Sequence, residues 1–364
     1  ATVLPRLGAK NFHHEHASVN LFDLLIDENN LKPSLKKYGL NDEHQHFIKE
    51  LVLGSKKEAD DIPGFQWVGQ PADKMWLYDI VANKRNGIDV DKLDYFARDC
   101  HMLHLNCSFD AERLMRNARV INVERLRYDI ISNSEIKMIA SEICFNHKSA
   151  FDLYDFFHTR HSLYKRAYFH KVSSAVDLMV GEALYLANDH FTVPGKDGKP
   201  TKMSECHKDM HAYWRITEWI VKYIQHSTIP ELKPSRDILD RLWKRDLFTC
   251  AGEILLDMEQ ALPGNALKPN EIVNQLNKLK KTIPSCDSIA EAEAEIEAMK
   301  VLGDDDIFAT SFKLGYGMKG KNPVSDGTTF FLPSKDGSGK IEVGSVAQDS
   351  ISRMIPKEYE EMYV

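Results

Sequence analysis

Asn83-Lys-Arg-Asn-Gly-Ile-Asp-Val-Asp-Lys-Leu-Asp-Tyr-Phe-Ala-Arg-Asp-Cys-His101 is the stretch on which the reading of this chain turns. A helix beginning near Asp89 places Asp91, Tyr95 and Asp99 at i, i+4 and i+8, with Lys92 beside them. One stripe then carries a carboxylate, a phenol, a second carboxylate and an ammonium. Such a set can hold a cation, a phosphate and a sugar hydroxyl together. The plainer alternative is a surface stripe of ordinary ion pairs. Two details weigh against it. Tyr95 and Phe96 do not suit a solvated face, and Asp89 and Asp91 repel each other unless a cation or base lies near.

Helical patterns surround this stretch. Apolar spacing predicts a helix from about Glu15 to Glu28, and Asn41-Asp42 can cap another that carries Phe47, Ile48, Leu51 and Val52. Residues 54–72 are rich in Gly, Pro and Asp and read as a loop. Helical pattern continues from Asp73 to Leu105. Val120 to about Ile143 is β-branched and partly alternating, which suits strands or a hairpin. Long helical pattern runs from about Ala150 to Asn188, and Phe191 to Lys202 reads as a turn between short extended pieces. Helices resume from Lys208 to about Gln260. Beyond Pro263-Gly264 the chain changes character. Ala290 to Ala298 is Ala/Glu-rich, and Ile307–Leu314, Thr328–Leu332 and Lys340–Val343 look like strands. The fold class expected is mainly α, with a helical body over 1–261 and a small α+β lobe over 262–364.

Two further clusters carry chemistry. His13-His14-Glu15-His16 stands at a helix start, where three imidazoles and a carboxylate can bind a metal or move a proton; the bland alternative is a solvated cap. Phe157 to Lys171 has no acid anywhere between Phe156 and Val176. On an unbroken helix Arg160, Tyr164, Tyr168 and Lys171 share one face, and Lys165, Arg166 and His170 lie on the next. Basic groups among aromatics suit a polyphosphate with a stacked base, or a basic helix paired to an acidic neighbour. Gly315-Tyr-Gly-Met-Lys-Gly320 has dinucleotide-loop spacing. Asn322 and Pro323 deny it a receiving helix, so a plain glycine turn is expected.

Composition bounds the rest. The 364 residues are 43% hydrophobic and 28% charged, as in an ordinary globular chain. No apolar run is long enough to span a membrane. The net charge of −7 traces to the acidic window Asp287 to Asp306, so global charge points to neither nucleic acid nor membrane. Six cysteines stand apart with no C-x-x-C pair, as in a reduced intracellular protein of nucleus or cytoplasm. The chain begins Ala1-Thr-Val-Leu-Pro without Met or signal peptide, which suggests processing or a boundary inside a longer protein.

The 83–101 block resembles the signature of the SAM- and HD-domain deoxynucleoside triphosphate triphosphohydrolases of animals, nearest to their vertebrate-type branch. Leu153-Tyr-Asp-Phe-Phe-His-Thr-Arg160, Arg166-Ala-Tyr168, His170-Lys171, His14-Glu15, Ser18-Val19, Arg245-Asp-Leu-Phe248, Tyr316-Gly-Met318 and Lys321-Asn-Pro323 extend the similarity in order along the chain. The resemblance implies a largely helical HD-type body that cleaves a dNTP to deoxynucleoside and triphosphate. It implies a transition metal, Zn or Fe, in an H…HD…D set whose last ligand matches Asp91, and Mg with bound nucleotides. Lys92, Tyr95 and Arg160 match phosphate contacts. Asp99 matches the reader of the sugar 3′-hydroxyl, Tyr168 the aromatic beside the sugar, and Tyr164 a further pocket position. His14, backed by Glu15, matches a histidine at the scissile phosphate. Asp110, Arg113, Arg166, His170, Lys171 and Arg245 match parts of regulatory sites for dGTP- or GTP-type activators that join subunits from dimer to tetramer.

The departures carry weight too. Tyr164 replaces a His of the family, Phe169 a Gln, Thr249 a regulatory Lys and Asn117 a regulatory Phe. The segment 121–149 is longer than expected, and neither the H…HD segment nor a SAM domain is present. One carboxylate cannot hold a catalytic transition metal, so the chain as printed is expected not to hydrolyse dNTPs unless an upstream segment supplies the rest. The rival expectation is a non-catalytic nucleotide-binding or scaffold protein. Single-stranded nucleic acid is a further partner, ranked below these because the chain outside the acidic window is near neutral.

Overall fold

The computed structural model describes residues 3–256 and 308–363, apart from 10–11, 63, 130–133, 254, 309, 311, 319, 334–340, 353–354 and 357–358. The acidic window, the Ala/Glu segment and the expected boundary at 262 lie outside the described residues.

The body is mainly helical. His14–Glu28 and Asp42–Leu53 form the first pair of long helices. The second of them starts at a reciprocal cap, where Asn41 accepts from the His44 amide and His44 reaches back to the Asn41 amide. It ends at Gly54, whose φ of 73° fits a glycine C-cap. A five-residue helix, Lys56–Asp60, lies within the stretch read as loop, started by the Ser55 hydroxyl. Between Asp73 and Leu105 the helix is not continuous. A 3₁₀ segment spans Ala72–Asp79, residues 80–89 turn, and a helix follows at Val90–Met102. Among the described residues no helix is long and apolar enough to cross a membrane.

The β-branched stretch forms the long antiparallel hairpin β1 (Ala118–Asp129) and β2 (Ser134–Asn146). Short strands β3 (Thr192–Pro194) and β4 (Pro200–Lys202) form the second hairpin. Toward the C-terminus come β5 (Leu255–Leu256), β6 (Phe312–Gly315), β7 (Phe330–Pro333), β8 (Ile341–Gly344) and β9 (Glu360–Tyr363). They make two sheets. The order β1-β2-β7-β8 joins the hairpin to C-terminal strands, with β7 parallel to β2, and the order β5-β9-β6 is antiparallel.

The main core draws on both ends of the chain. Phe96 and Cys100 of the Val90–Met102 helix meet Leu153, Phe156, Phe157 and Leu163 of the Ala150–Leu163 helix, together with Tyr316, Val324, Phe330, Ile355 and Tyr359. Phe96, Phe156 and Phe157 are fully buried; Phe156 packs edge to face on Phe157 and tilted against Phe96. A second core gathers Ala183 and Ala187 with Phe191, Ile220, Ile224, Leu232 and Leu239.

Two helical expectations need correction. The pattern from Ala150 to Asn188 is interrupted: Ala150–Leu163 runs into a π turn at Tyr164–Tyr168, and a fresh helix starts at Lys171 and ends at Ala187. The Phe169 amide donates to the Tyr164 carbonyl at 2.8 Å, a five-residue step that inserts one extra residue. Nor do helices continue from Trp243 through the described residues that follow, and residues 257–260 of the expected stretch lie outside the described residues. Met210–Tyr213, Trp219–His226 and Lys233–Trp243 are helical; Arg245 then takes a left-handed φ of 60°, which stops the last of them.

Candidate active site

The start of the Val90–Met102 helix is fixed by the residues before it. The Asn83 side chain donates to Asn86 Oδ1 at 2.7 Å and to the Ile88 carbonyl at 3.0 Å, and it accepts the amides of Arg85 and Asn86. Gly87 turns at a φ of 72° beneath Met318 and Phe157. Arg85 bonds Asp79 at 2.6 Å and approaches Glu142 at 3.3 Å, tying the turn to β2. Asp89 then caps the helix. It accepts the Lys92 amide at 3.3 Å and the Lys92 ammonium at 3.1 Å through both oxygens. The Asp89–Asp91 repulsion inferred from the sequence is thereby relieved at Asp89 by Lys92. Asp91 itself is exposed.

Asp99, two turns on, meets the opposite helix. The Tyr168 phenol donates to its carboxylate, and Arg98 pairs with it at 3.0 Å. Tyr95 packs 6.3 Å from Tyr168, Tyr168 lies 4.8 Å from Tyr164 edge to face, and the Arg160 guanidinium sits 4.2 Å over the Tyr164 ring. Burial pushes the Tyr95 phenol well above its ordinary range, with Arg160 opposing; burial and then the bond to Asp99 push Tyr168 up as well. Both phenols therefore stay protonated, and Tyr168 remains a donor, at neutral pH.

Arg160 is half-buried. Its Nη1 donates to the Gly315 carbonyl, and among the described residues no carboxylate stands within ion-pair distance of it. A desolvated guanidinium held by a carbonyl and a ring keeps donors for an anion, and its flat fork matches phosphate oxygens. The glycine turn at 315–317 is thus no phosphate loop: it packs against the arginine.

Five of the expected substrate residues, Tyr95, Asp99, Arg160, Tyr164 and Tyr168, form this connected set. Lys92 is engaged by Asp89. Lys171 is not on one helix with Arg160, because the backbone leaves helical geometry at Phe169 and is extended at His170; it is an exposed first residue of the next helix. His14 is 78% exposed and 3.2 Å from Glu15, whose other oxygen lies 3.8 Å from Lys84 of the 83–101 block. The His13 and His16 rings lie 5.0 Å apart, tilted by 42°.

The expected regulatory residues are spread over the surface. Asp110 caps Ala111–Arg116, Arg113 pairs with Asp152 at 2.9 Å, and His170 caps Lys171–Ala187; Arg166 and Arg245 are exposed. Among the described residues no group of three or more His, Cys, Asp or Glu side chains can hold a metal. The donor set around Asp91 does not fit a transition metal, which takes three or four protein ligands.

Two features escaped the sequence reading. Arg85 draws its partners from residues as remote as Gly327, and the Gly315–Gly317 turn reaches Arg160 only through the folded chain. The one available signal was Gly-Tyr-Gly directly after a strand.

No family model matches the sequence. Among curated proteins, deoxynucleoside triphosphate triphosphohydrolase SAMHD1 of Homo sapiens is 33% identical over 352 residues, covering 96% of this chain and 51% of the relative. That of Gallus gallus is 34% identical over 357 residues, covering 97% and 52%. A putative HD domain-containing protein of Acanthamoeba polyphaga mimivirus is 28% identical over 218 residues, covering 59% and 37%. The chain spans about half the length of the SAMHD1 relatives it matches. The chain is thus similar to the SAMHD1 proteins along nearly its whole length, and its mainly helical body agrees with that likeness.

Proposed function

We propose that this chain carries the deoxyribose- and triphosphate-binding part of a dNTP triphosphohydrolase, and that the complete protein cleaves a dNTP to deoxynucleoside and triphosphate. The observation that supports this reading most is the meeting of Asp99 and Tyr168, 69 residues apart in sequence, beside an arginine with no carboxylate partner among the described residues. In this reading Arg160 holds phosphate oxygens, with Lys92 and Tyr95 alongside. Asp99, already positioned by Tyr168, accepts the sugar 3′-hydroxyl, and Tyr164 and Tyr168 wall the sugar. His14, with Glu15 behind it, donates a proton to the leaving oxygen. A divalent transition metal, Zn or Fe, belongs to the complete centre. Asp91 supplies at most one ligand to it.

The regulatory part of the proposal places a dGTP- or GTP-type nucleotide with Mg at surfaces carrying Asp110, Arg113, Arg166, His170, Lys171 and Arg245, joining copies as dimers and tetramers in the nucleus or cytoplasm. Thr249 and Asn117 make that assembly weaker or differently selective. Single-stranded nucleic acid remains a lesser partner.

Calorimetry with a non-hydrolysable dNTP tests the substrate reading. Binding by the chain that disappears in Arg160→Ala supports it, and equal affinity of variant and parent discards the phosphate role. A second reading, a non-catalytic nucleotide-binding scaffold, is favoured by the lack of a metal-ligand group among the described residues. Elemental analysis of a longer form containing an upstream H…HD segment separates the two. One metal per subunit, lost in Asp91→Ala, supports the enzyme; no metal supports the scaffold.

A further inference from the structure

The glycine turn at 315–317 enters the site as described so far only as a neighbour of Arg160. Its geometry is nonetheless specific. β6 ends at Gly315, which pairs with Glu360 of β9, and the Tyr316 amide donates to the Tyr359 carbonyl at 3.0 Å. A Cβ at Gly315 would stand 2.6 Å from that same carbonyl, so the strands close up only over a glycine. Gly317 has a φ of 86°, and a Cβ there would lie 3.2 Å from Arg160 Nε and 3.5 Å from Cζ. The Arg160 guanidinium is therefore enclosed on three sides: by the Gly315 carbonyl, by the bare backbone of Gly317, and by the Tyr164 ring.

We propose that the Gly315-Tyr316-Gly317 turn, anchored by β9, is the positioning element of Arg160 and so sets the affinity of the site for a triphosphate group. The inference rests on the reading of Arg160 as a phosphate ligand and adds a control over it. One N–H is spent on the Gly315 carbonyl, which fixes the plane of the fork; Tyr164 fixes its face. The other donors are then presented in one orientation, so little freedom is lost when an anion binds. Long side chains otherwise lose considerable rotamer entropy on being ordered. The pairing of β6 with β9 passes this order from the C-terminal end of the chain to the anion site. Gly317 and Gly315 are positioning residues in this scheme and make no contact with substrate.

Gly320 supplies a matched control. Its φ is 78°, close to that of Gly317, yet the nearest atom to a Cβ there is Glu360 Oε2 at 4.0 Å. Gly317→Ala and Gly320→Ala thus carry similar backbone strain, and only the first presses on Arg160. The experiment is calorimetric titration of the 364-residue chain with inorganic tripolyphosphate. Gly317→Ala is expected to weaken binding about tenfold, as for a misaligned charge-assisted hydrogen bond. Gly320→Ala should stay within about twofold of the parent, and Gly317→Ala combined with Arg160→Ala should bind no worse than Arg160→Ala alone, since coupled residues do not add. Gly317→Asn, which tolerates positive φ, carries the same Cβ and serves if the alanine variant does not fold.

Equal losses in the Gly317 and Gly320 variants, unchanged or tighter binding in Gly317→Ala, or additive losses in the double variant would each overturn the proposal. If Arg160→Ala weakens binding and Gly317→Ala does not, this inference alone is lost. If Arg160→Ala has no effect, the phosphate reading fails first.

Discussion

Two half-buried arginines sit in this molecule in opposite ways. Arg85 is saturated: Asp79 at 2.6 Å, Glu142 at 3.3 Å, and the carbonyls of Ile143 and Gly327 at 3.2 Å. Arg160 has one carbonyl and one aromatic face. The first arrangement spends a charge on holding the 80–89 turn against β2. The second keeps a charge available. Taking a guanidinium out of water is costly unless its donors are met, so Arg160, with fewer partners among the described residues, is the one of the two that the proposed triphosphate site can use.

The largest effect expected from this contrast is in Arg85→Ala. Removing the guanidinium from between two buried carboxylates costs about 3–5 kcal/mol of stability, as for other broken buried pairs. A urea midpoint unchanged from the parent would break the comparison on the structural side. Arg160→Ala is the mirror image: tripolyphosphate binding weaker by about 2–5 kcal/mol, with a urea midpoint close to that of the parent. A large midpoint shift without loss of binding would make Arg160 a second Arg85.

Tyr168→Phe comes next. It removes the donor to Asp99 and lowers stability by about 1.5–3 kcal/mol, the range for a bond to a charged partner. The folded-state value of this phenol is raised above that of the unfolded chain. Its contribution is therefore fully present below about pH 10, the ordinary tyrosine value, and fades as pH rises beyond it. Urea midpoints at pH 8 and pH 10.5 should show the gap between parent and Tyr168→Phe narrowing at the higher pH; a constant gap would detach the stability effect from phenol ionisation. Smallest of all is Arg98→Ala. Its pairs with Asp94 and Asp99 lie at the surface, and the midpoint should not move measurably, which separates solvated pairing from the buried kind.

Local chemistry made much of this legible in advance. The Asn41 cap, the 118–146 hairpin, the helix opening at Asp89 and the Asp99–Tyr95 stripe all follow from side chains acting on their near neighbours. Periodicity also put Arg160, Tyr164 and Tyr168 together, and the structure keeps them in contact, but through a π turn that a 3.6-residue pattern does not register. Lys171 was misplaced because the helix breaks before it, at an extended His170. The Arg85 and Arg160 environments were not fully legible because each includes a remote carbonyl, Gly327 at 242 residues from Arg85 and Gly315 at 155 from Arg160. The helix stop near Trp243 was missed because it depends on a left-handed arginine, a conformation that residue type does not announce.

The five residues at 164–168 amount to a phase error written into the chain. Each residue of an α-helix advances the azimuth by about 100°, and the bond from the Phe169 amide to the Tyr164 carbonyl spans one residue more than the regular ladder, so the turn is widened just where Tyr168 reaches Asp99. Deleting one of residues 165–167 would bring Phe169 into the ordinary four-residue register with Tyr164 and displace Tyr168 with no substitution made. The contact of Tyr168 with Asp99 consequently depends on the length of the chain here as much as on residue identity.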